Sequence, residues 1–141
     1  MTSLETLTAK DIHDVRASFD LMWPRSTAMA DQFYARLFEI APDCKAMFRS
    51  DMANTKDKFI ATLAVLVGSL DNVTGLYSIA GKLAKDHVAY GVRAEHYAPV
   101  GDALLWSLGQ QLGSFWTTDV ERSWQKVYAL ISSRMIAAAY R

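Results

Sequence analysis

Cysteine is almost absent from this chain. Its 141 residues include one, Cys44, so no internal disulfide can form and the companion ligands of a thiolate zinc or iron–sulfur site are missing. Cys44 reads as a packing residue. Proline occurs 3 times and glycine 7 times, and the alternating pattern of a strand is hard to find anywhere, while hydrophobic residues make up 51% of the chain. This balance speaks against a sheet sandwich and for a helical bundle. Lys+Arg and Asp+Glu stand at 15 each with no basic block, so the electrostatic footprint needed for nucleic acid or an anionic membrane is missing. The longest apolar run, residues 60–70 (IATLAVLVGSL), is too short to cross a bilayer and reads as a buried helix. The opening MTSLETLTAKDIHD lacks the charged start, apolar middle and cleavage site of a secretory signal, so a cytoplasmic location is expected.

What is present is helical periodicity over almost the whole length. A chain of this size can bury about 68–70% of its unfolded surface in one core, which leads to the expectation of one domain over residues 1–141. Thr8 and Asp11 form a capping-box pair ahead of Ile12, Val15, Phe19 and Met22, which recur at helical spacing until Pro24; His13 lies off this stripe and reads as a surface residue. Met29, Phe33 and Leu37, flanked by Ala30, Tyr34 and Phe38, predict a second helix over residues 26–40 whose breadth turns Tyr34 inward. Pro42 opens a short helix, PDCKAMF, that delivers Phe48 into a loop. Asn54 or Thr55 is expected to cap a third long helix through Phe59, Leu63, Leu66, Val67 and Leu70, stopped at Asp71-Asn72 near Gly75. Tyr97, Val100, Leu104, Leu108 and Leu112 define another helix ended by Gly113. A capping pair at Thr118 and Glu121 then opens the last one, which carries Val120, Trp124, Val127, Ile131 and Met135. With the histidine helix below, this makes six substantial helices and one short one.

Residues 76–91 (LYSIAGKLAKDHVAYG) place Leu76, Ile79, Ala80, Leu83 and His87 on one stripe, and Gly91 stands where a left-handed helix end is expected. A buried imidazole needs a partner. One reading is a core histidine held by a backbone carbonyl; the other is an axial metal ligand, one ring nitrogen on the metal and the other donating to a carbonyl one turn back. No metal-ligand cluster, Ser/His/Asp order or phosphate-binding glycine loop appears. A lone histidine ligand therefore requires a cofactor that brings its other ligands, and haem does so.

Here the sequence resembles the globin family, in particular single-domain bacterial haemoglobins and the globin domain of flavohaemoglobins. The resemblance rests on FYARLF with Pro42 and Phe48 after it, on KDHVAYGV, on EHYAPVGDALL, and on W-x-K-x-Y at Trp124, Lys126 and Tyr128. It implies an all-α globin fold, a three-over-three helical sandwich around a pocket for haem b. His87 resembles the proximal iron ligand, with Leu83 supplying the carbonyl for its other nitrogen. Phe48 resembles the phenylalanine that packs on the porphyrin, and Tyr34 the distal tyrosine that donates to the bound gas. Thr55 takes the distal gate position, where the family usually has histidine or glutamine, and Phe59 the apolar position one turn later, often leucine. Val92, Tyr97 and Val100 complete the implied haem contacts. Tyr97 matches a proximal tyrosine, but the family's glutamate position falls on Ala139. His96 is expected to make a corner hydrogen bond, and Phe33, Phe38, Trp106 and Trp124 to be core.

The resemblance implies reversible binding of dioxygen, nitric oxide and carbon monoxide at five-coordinate iron, since no histidine lies between His13 and His87 to close the sixth position. A second expectation is nitric oxide dioxygenation, which needs electrons from a separate reductase. A third is a gas sensor or interaction module. The chain is expected to act as a monomer or homodimer without nucleic-acid or membrane partners.

Overall fold

The computed structural model describes residues 7–48, 51–89 and 91–139. Six α-helices run in order: α1 (Ala9–Met22), α2 (Ser26–Ile40), α3 (Met52–Gly68), α4 (Val73–Ala89), α5 (Tyr97–Leu112) and α6 (Thr118–Ala139). Tight 3₁₀ segments link several of them, the longest being Pro42–Met47. No strand occurs among the described residues.

Local chemistry explains most of the boundaries. The Thr8 hydroxyl accepts from Asp11 N–H while the Asp11 carboxylate accepts from Thr8 N–H, so the expected capping box opens α1. Pro24 turns the chain through Trp23–Arg25 into α2, which ends before Pro42 as expected. Three expected boundaries are corrected. The cap of α3 is Asp51, whose carboxylate accepts from Ala53 N–H, so the helix starts upstream of Asn54 and Thr55. The histidine helix begins at Val73, upstream of Leu76, because the Asn72 side-chain oxygen accepts from Gly75 N–H and draws that glycine into the first turn. The last helix is capped by Thr117, whose hydroxyl accepts from Val120 N–H, displacing the expected Thr118. At the other end of α4, Gly91 adopts φ +88°; its N–H donates to Val88 O and Val92 N–H donates to His87 O, the paired closure of a Schellman motif.

α2 lies against α5 and α3, while α6 packs on α1 and α4. The core between them holds Val15, Met22, Met29, Leu37, Leu76, Leu108 and Trp124, each essentially without solvent contact. Complete burial of such a side chain contributes roughly 1.5–3 kcal/mol. Arg16 of α1 donates to the Val67 and Gly68 carbonyls at the end of α3, and Arg25 to the Gln111 carbonyl near the end of α5. These cations satisfy helix-end acceptors that no intrahelical N–H reaches.

The α1–α6 seam is polar. Lys126 Nζ lies 2.5 Å from Asp11 Oδ2, Ser123 Oγ donates to Asp11 Oδ1 at 3.1 Å, and Trp124 Nε1 donates to Ser18 Oγ at 2.9 Å. Burial raises the Asp11 carboxyl pKa, but hydrogen bonds from Lys126, Thr8 and Ser123 more than offset this, leaving it at about 2 against an ordinary 3.8. His13 is exposed, as its off-stripe position implied. Trp106 corrects an expectation: it is 38% exposed, not core, with the Arg36 guanidinium 5.0 Å from its ring centre.

Candidate functional site

α2 carries Phe33, Tyr34 and Phe38, and α3 brings Phe59 against them. The Phe33 and Phe59 rings stack at 4.3 Å, and Tyr34 meets Phe59 edge-on at 5.7 Å. Phe48, released at the end of Pro42–Met47, meets Tyr34 edge-on at 5.3 Å and Phe38 at 5.5 Å. Four phenylalanine rings thus form one continuous wall around a single phenol. Tyr34 is 6% exposed, and no hydrogen bond joins its hydroxyl to another described residue. Burial pushes its pKa up to about 12, so it is a neutral O–H donor through the physiological range. Phe33 is core, as expected, but it also belongs to this wall, as does Phe38.

Thr55 sits in the first turn of α3, half-buried, with its hydroxyl donating to the Asp51 carbonyl at 3.0 Å. The expected gate position therefore contributes no free donor in this rotamer. Next to it, Lys56 pairs with Asp31 of α2 at 2.9 Å.

On α4, His87 is half-buried and its Nδ1 lies 2.7 Å from the Leu83 carbonyl. A carbonyl only accepts, so Nδ1 is the nitrogen that carries a proton here and Nε2 is the one left for a metal. The Schellman closure at Val92 fixes the backbone of the same residue. The Tyr97 ring lies alongside, centroids 6.4 Å apart and 28° between planes. Tyr97 is buried in a small cluster with Ala80, Ala84 and Met135, against which Leu83, Val92, Ile131, Ile136 and Ala139 pack. Val100 packs half-buried on the main core. His96 makes the corner hydrogen bond expected of it: its Nδ1 accepts from Arg93 N–H at 2.9 Å.

The arrangement fits haem on observations of the protein itself. α3 and α4 are consecutive, yet they do not pack along each other. Phe38, Phe48, Phe59, Leu83, Val92 and Val100 are apolar but only half-buried, as walls around a flat apolar group would be. His87 offers one basic nitrogen, and Tyr34 one uncommitted O–H. Among the described residues no group of three or more His, Cys, Asp or Glu side chains could hold a metal ion, so a metal here would have to arrive in its own chelate. A separate cavity of about 360 Å³ between α4 and α6 is lined by Tyr77, Gly81, Arg134, Ala137 and Ala138 and excludes His87. Gly101 and Tyr128 meet at the start of α5; both fall in stretches that carried the resemblance, EHYAPVGDALL and W-x-K-x-Y, but the sequence assigned neither a role.

Comparison with known proteins agrees with this geometry. The globin family model matches residues 31–135. The chain is 30% identical over 125 residues to a flavohemoprotein of Chromobacterium violaceum, covering 86% of this chain and 31% of that protein, so it spans about a third of the relative's length. It is 25% identical to a neuroglobin of Tetraodon nigroviridis over 94% of this chain and 92% of that one. Among solved structures, an engineered carbene transferase from Rhodothermus marinus superposes with a TM-score of 0.85 at 25% identity, covering 95% of this chain and 94% of the other. Globin membership implies a haem cofactor and a helical sandwich, and with 105 of 141 residues inside the family match (31 to 135), the chain belongs to the globin family.

Proposed function

We propose that this globin reversibly binds dioxygen, and also nitric oxide and carbon monoxide, at a haem b iron held by His87, residues 1–141 acting as one globin domain. The observation that carries this reading is the His87 hydrogen bond to Leu83, which commits Nδ1 and leaves Nε2 as a basic, oriented ligand on an otherwise apolar wall. The haem supplies the iron at which a diatomic gas is held; the chain does the rest. Tyr34, neutral at physiological pH, donates its O–H to a partly negative guest on the distal side. Phe33, Phe38, Phe48 and Phe59 limit water around that donor and so slow oxidation. Thr55, with its hydroxyl tied to Asp51, would leave Tyr34 as the main donor.

The likeness to flavohemoproteins supports a second reading, conversion of nitric oxide and dioxygen to nitrate, dioxygen supplying both added oxygen atoms and a separate reductase one electron per turnover. It ranks lower because Ala139, packed against the cluster that holds Tyr97, offers a methyl group and no carboxylate. Visible spectra of the haem-reconstituted protein, ferric and ferrous, followed by mixing the oxygenated form with nitric oxide, test both. A five-coordinate ferrous spectrum and a stable oxygen complex support gas binding. Rapid formation of ferric protein and nitrate would promote the second reading. Failure to develop a Soret band would overturn both and leave His87 a core histidine.

A further inference from the structure

The cavity between α4 and α6 has a single charged group in its wall, and that group is a cation. Tyr77 and Gly81 line it from α4, and Arg134, Ala137 and Ala138 from α6. Arg134 differs from the other described arginines. Arg16, Arg36, Arg93 and Arg122 each meet a carboxylate and Arg25 donates to a helix-end carbonyl, whereas Arg134 has no oxygen partner among the described residues. Its contact is instead a ring: the guanidinium carbon stands over Tyr77, 3.9 Å from the ring centre. Such a contact engages the face of the guanidinium and leaves its N–H edge, which can hold a carboxylate through two parallel hydrogen bonds, uncommitted. The rest of the wall is small. A Cβ built on Gly81 would meet nothing within 4 Å, so the space beside this glycine is open, and Ala137 and Ala138 add one methyl each. The volume of about 360 Å³ falls within the roughly 300–1,000 Å³ that small-molecule sites occupy.

We infer that this cavity is a binding site for a small organic monocarboxylate, its charge on the Arg134 guanidinium and its flat apolar body against Tyr77, Gly81 and the two alanines. One cation balances one negative charge. A phosphate dianion requires more donors than the wall offers, because all five lining residues lie past the first turn of their helices, where backbone N–H groups are spent within the helix. A neutral guest would cover the cation and cost it hydration without return. The inference does not rest on haem, since the cavity excludes His87.

The test follows backbone amide shifts by NMR in the full-length, haem-reconstituted chain, with carbon monoxide on the ferrous iron so that no carboxylate binds there. Benzoate is the probe. It should move the Gly81, Ala137 and Ala138 signals along one saturable curve, while benzyl alcohol, which keeps the ring without the charge, and inorganic phosphate, which keeps charge without the ring, bind more weakly. Arg134→Met retains the apolar stem and should weaken benzoate by about tenfold, the low end for a lost charge-assisted hydrogen bond. Gly81→Leu fills the open space and should abolish binding. Arg122→Met is the control for net charge, because Arg122 lies on the same helix but pairs with Asp119, and it should leave benzoate binding unchanged. The site is overturned if benzoate leaves the three amides unmoved, if its shifts centre on Tyr34 and Phe59, or if Arg122→Met weakens it as much as Arg134→Met. Shifts of the same amides with protein concentration alone would place a second copy of the chain over the cavity and overturn it equally.

Discussion

The α1–α6 seam and the α2–α3 wall both join helices through aromatic side chains, but they treat polar atoms in opposite ways. In the seam, Trp124 Nε1, Ser18 Oγ, Ser123 Oγ, Asp11 and Lys126 all have partners within the protein. In the wall, four phenylalanine rings surround Tyr34, whose hydroxyl no described residue binds. A protein gains stability by pairing its buried polar atoms. Leaving one donor uncommitted in an apolar wall forgoes that gain and keeps the donor for a guest. The seam is therefore where polar chemistry holds the fold, and the wall is where the proposed function uses it.

Mutation can break this contrast, and the largest effect is expected on α4, outside both regions. His87→Ala should abolish ordinary haem ligation while leaving the seam intact; visible spectra check this, and an unaltered ferrous spectrum would sink the assignment. Next comes the seam itself. Asp11→Ala leaves Lys126 half-buried without its carboxylate and should cost about 2 kcal/mol in urea unfolding, below the roughly 3–5 kcal/mol of fully buried pairs. The Asp11 pKa is depressed on folding, so its stabilisation is complete above the unfolded value of 3.8 and is lost as pH falls toward about 2. Acid titration of the variant should accordingly show a shallower loss of stability across that window, and an equal slope would remove Asp11 as its source.

Tyr34→Phe should do the reverse of Asp11→Ala. With no internal hydrogen bond to lose, stability should change by less than about 0.5 kcal/mol, while oxygen release should speed several-fold, the scale of one lost hydrogen bond of about 1 kcal/mol. Stopped-flow release rates check this, and an unchanged rate would mean another group is the donor. The smallest effect is expected from Ala139→Glu, which adds a carboxylate against the cluster that holds Tyr97. It should make the imidazole more basic and lower the midpoint potential modestly. Redox titration reads it, and a potential that rises instead would place the new carboxylate away from His87.

The outline of the fold was legible because apolar spacing and proline agree along most of the chain. α2 runs over residues 26–40, as its stripe and its two flanking prolines require, and Gly91 takes the left-handed conformation its place after the histidine helix implied. Boundaries failed where several side chains could serve as caps. Asp51, Asn54 and Thr55 are all competent, and the choice fell to the carboxylate whose geometry reaches Ala53 N–H. Thr117 and Thr118 differ only in which hydroxyl faces Val120 N–H. Asp71-Asn72 reads as the stop of the helix before it, but Asn72 also caps the next one, its side-chain oxygen accepting from Gly75 N–H. Trp106 falls on helical spacing and still faces outward, covered by a cation from another helix that no local pattern reveals. For the site, His87 and Tyr34 could be found from stripe and resemblance, whereas the Gly101–Tyr128 contact depends on two helices meeting and has no local signature.

The chain's one thiol has a practical consequence. Cys44 is 2% exposed in the turn that leads from α2 to Phe48, and burial together with Asp43 raises its pKa, so it should be slow to alkylate in the closed protein. Any labelling then reports how often this corner opens. The molecule thus carries its own clock for motion beside the aromatic wall, read by mass spectrometry without an added probe, and comparing that clock with and without a bound gas would show whether the guest slows the opening of its surroundings.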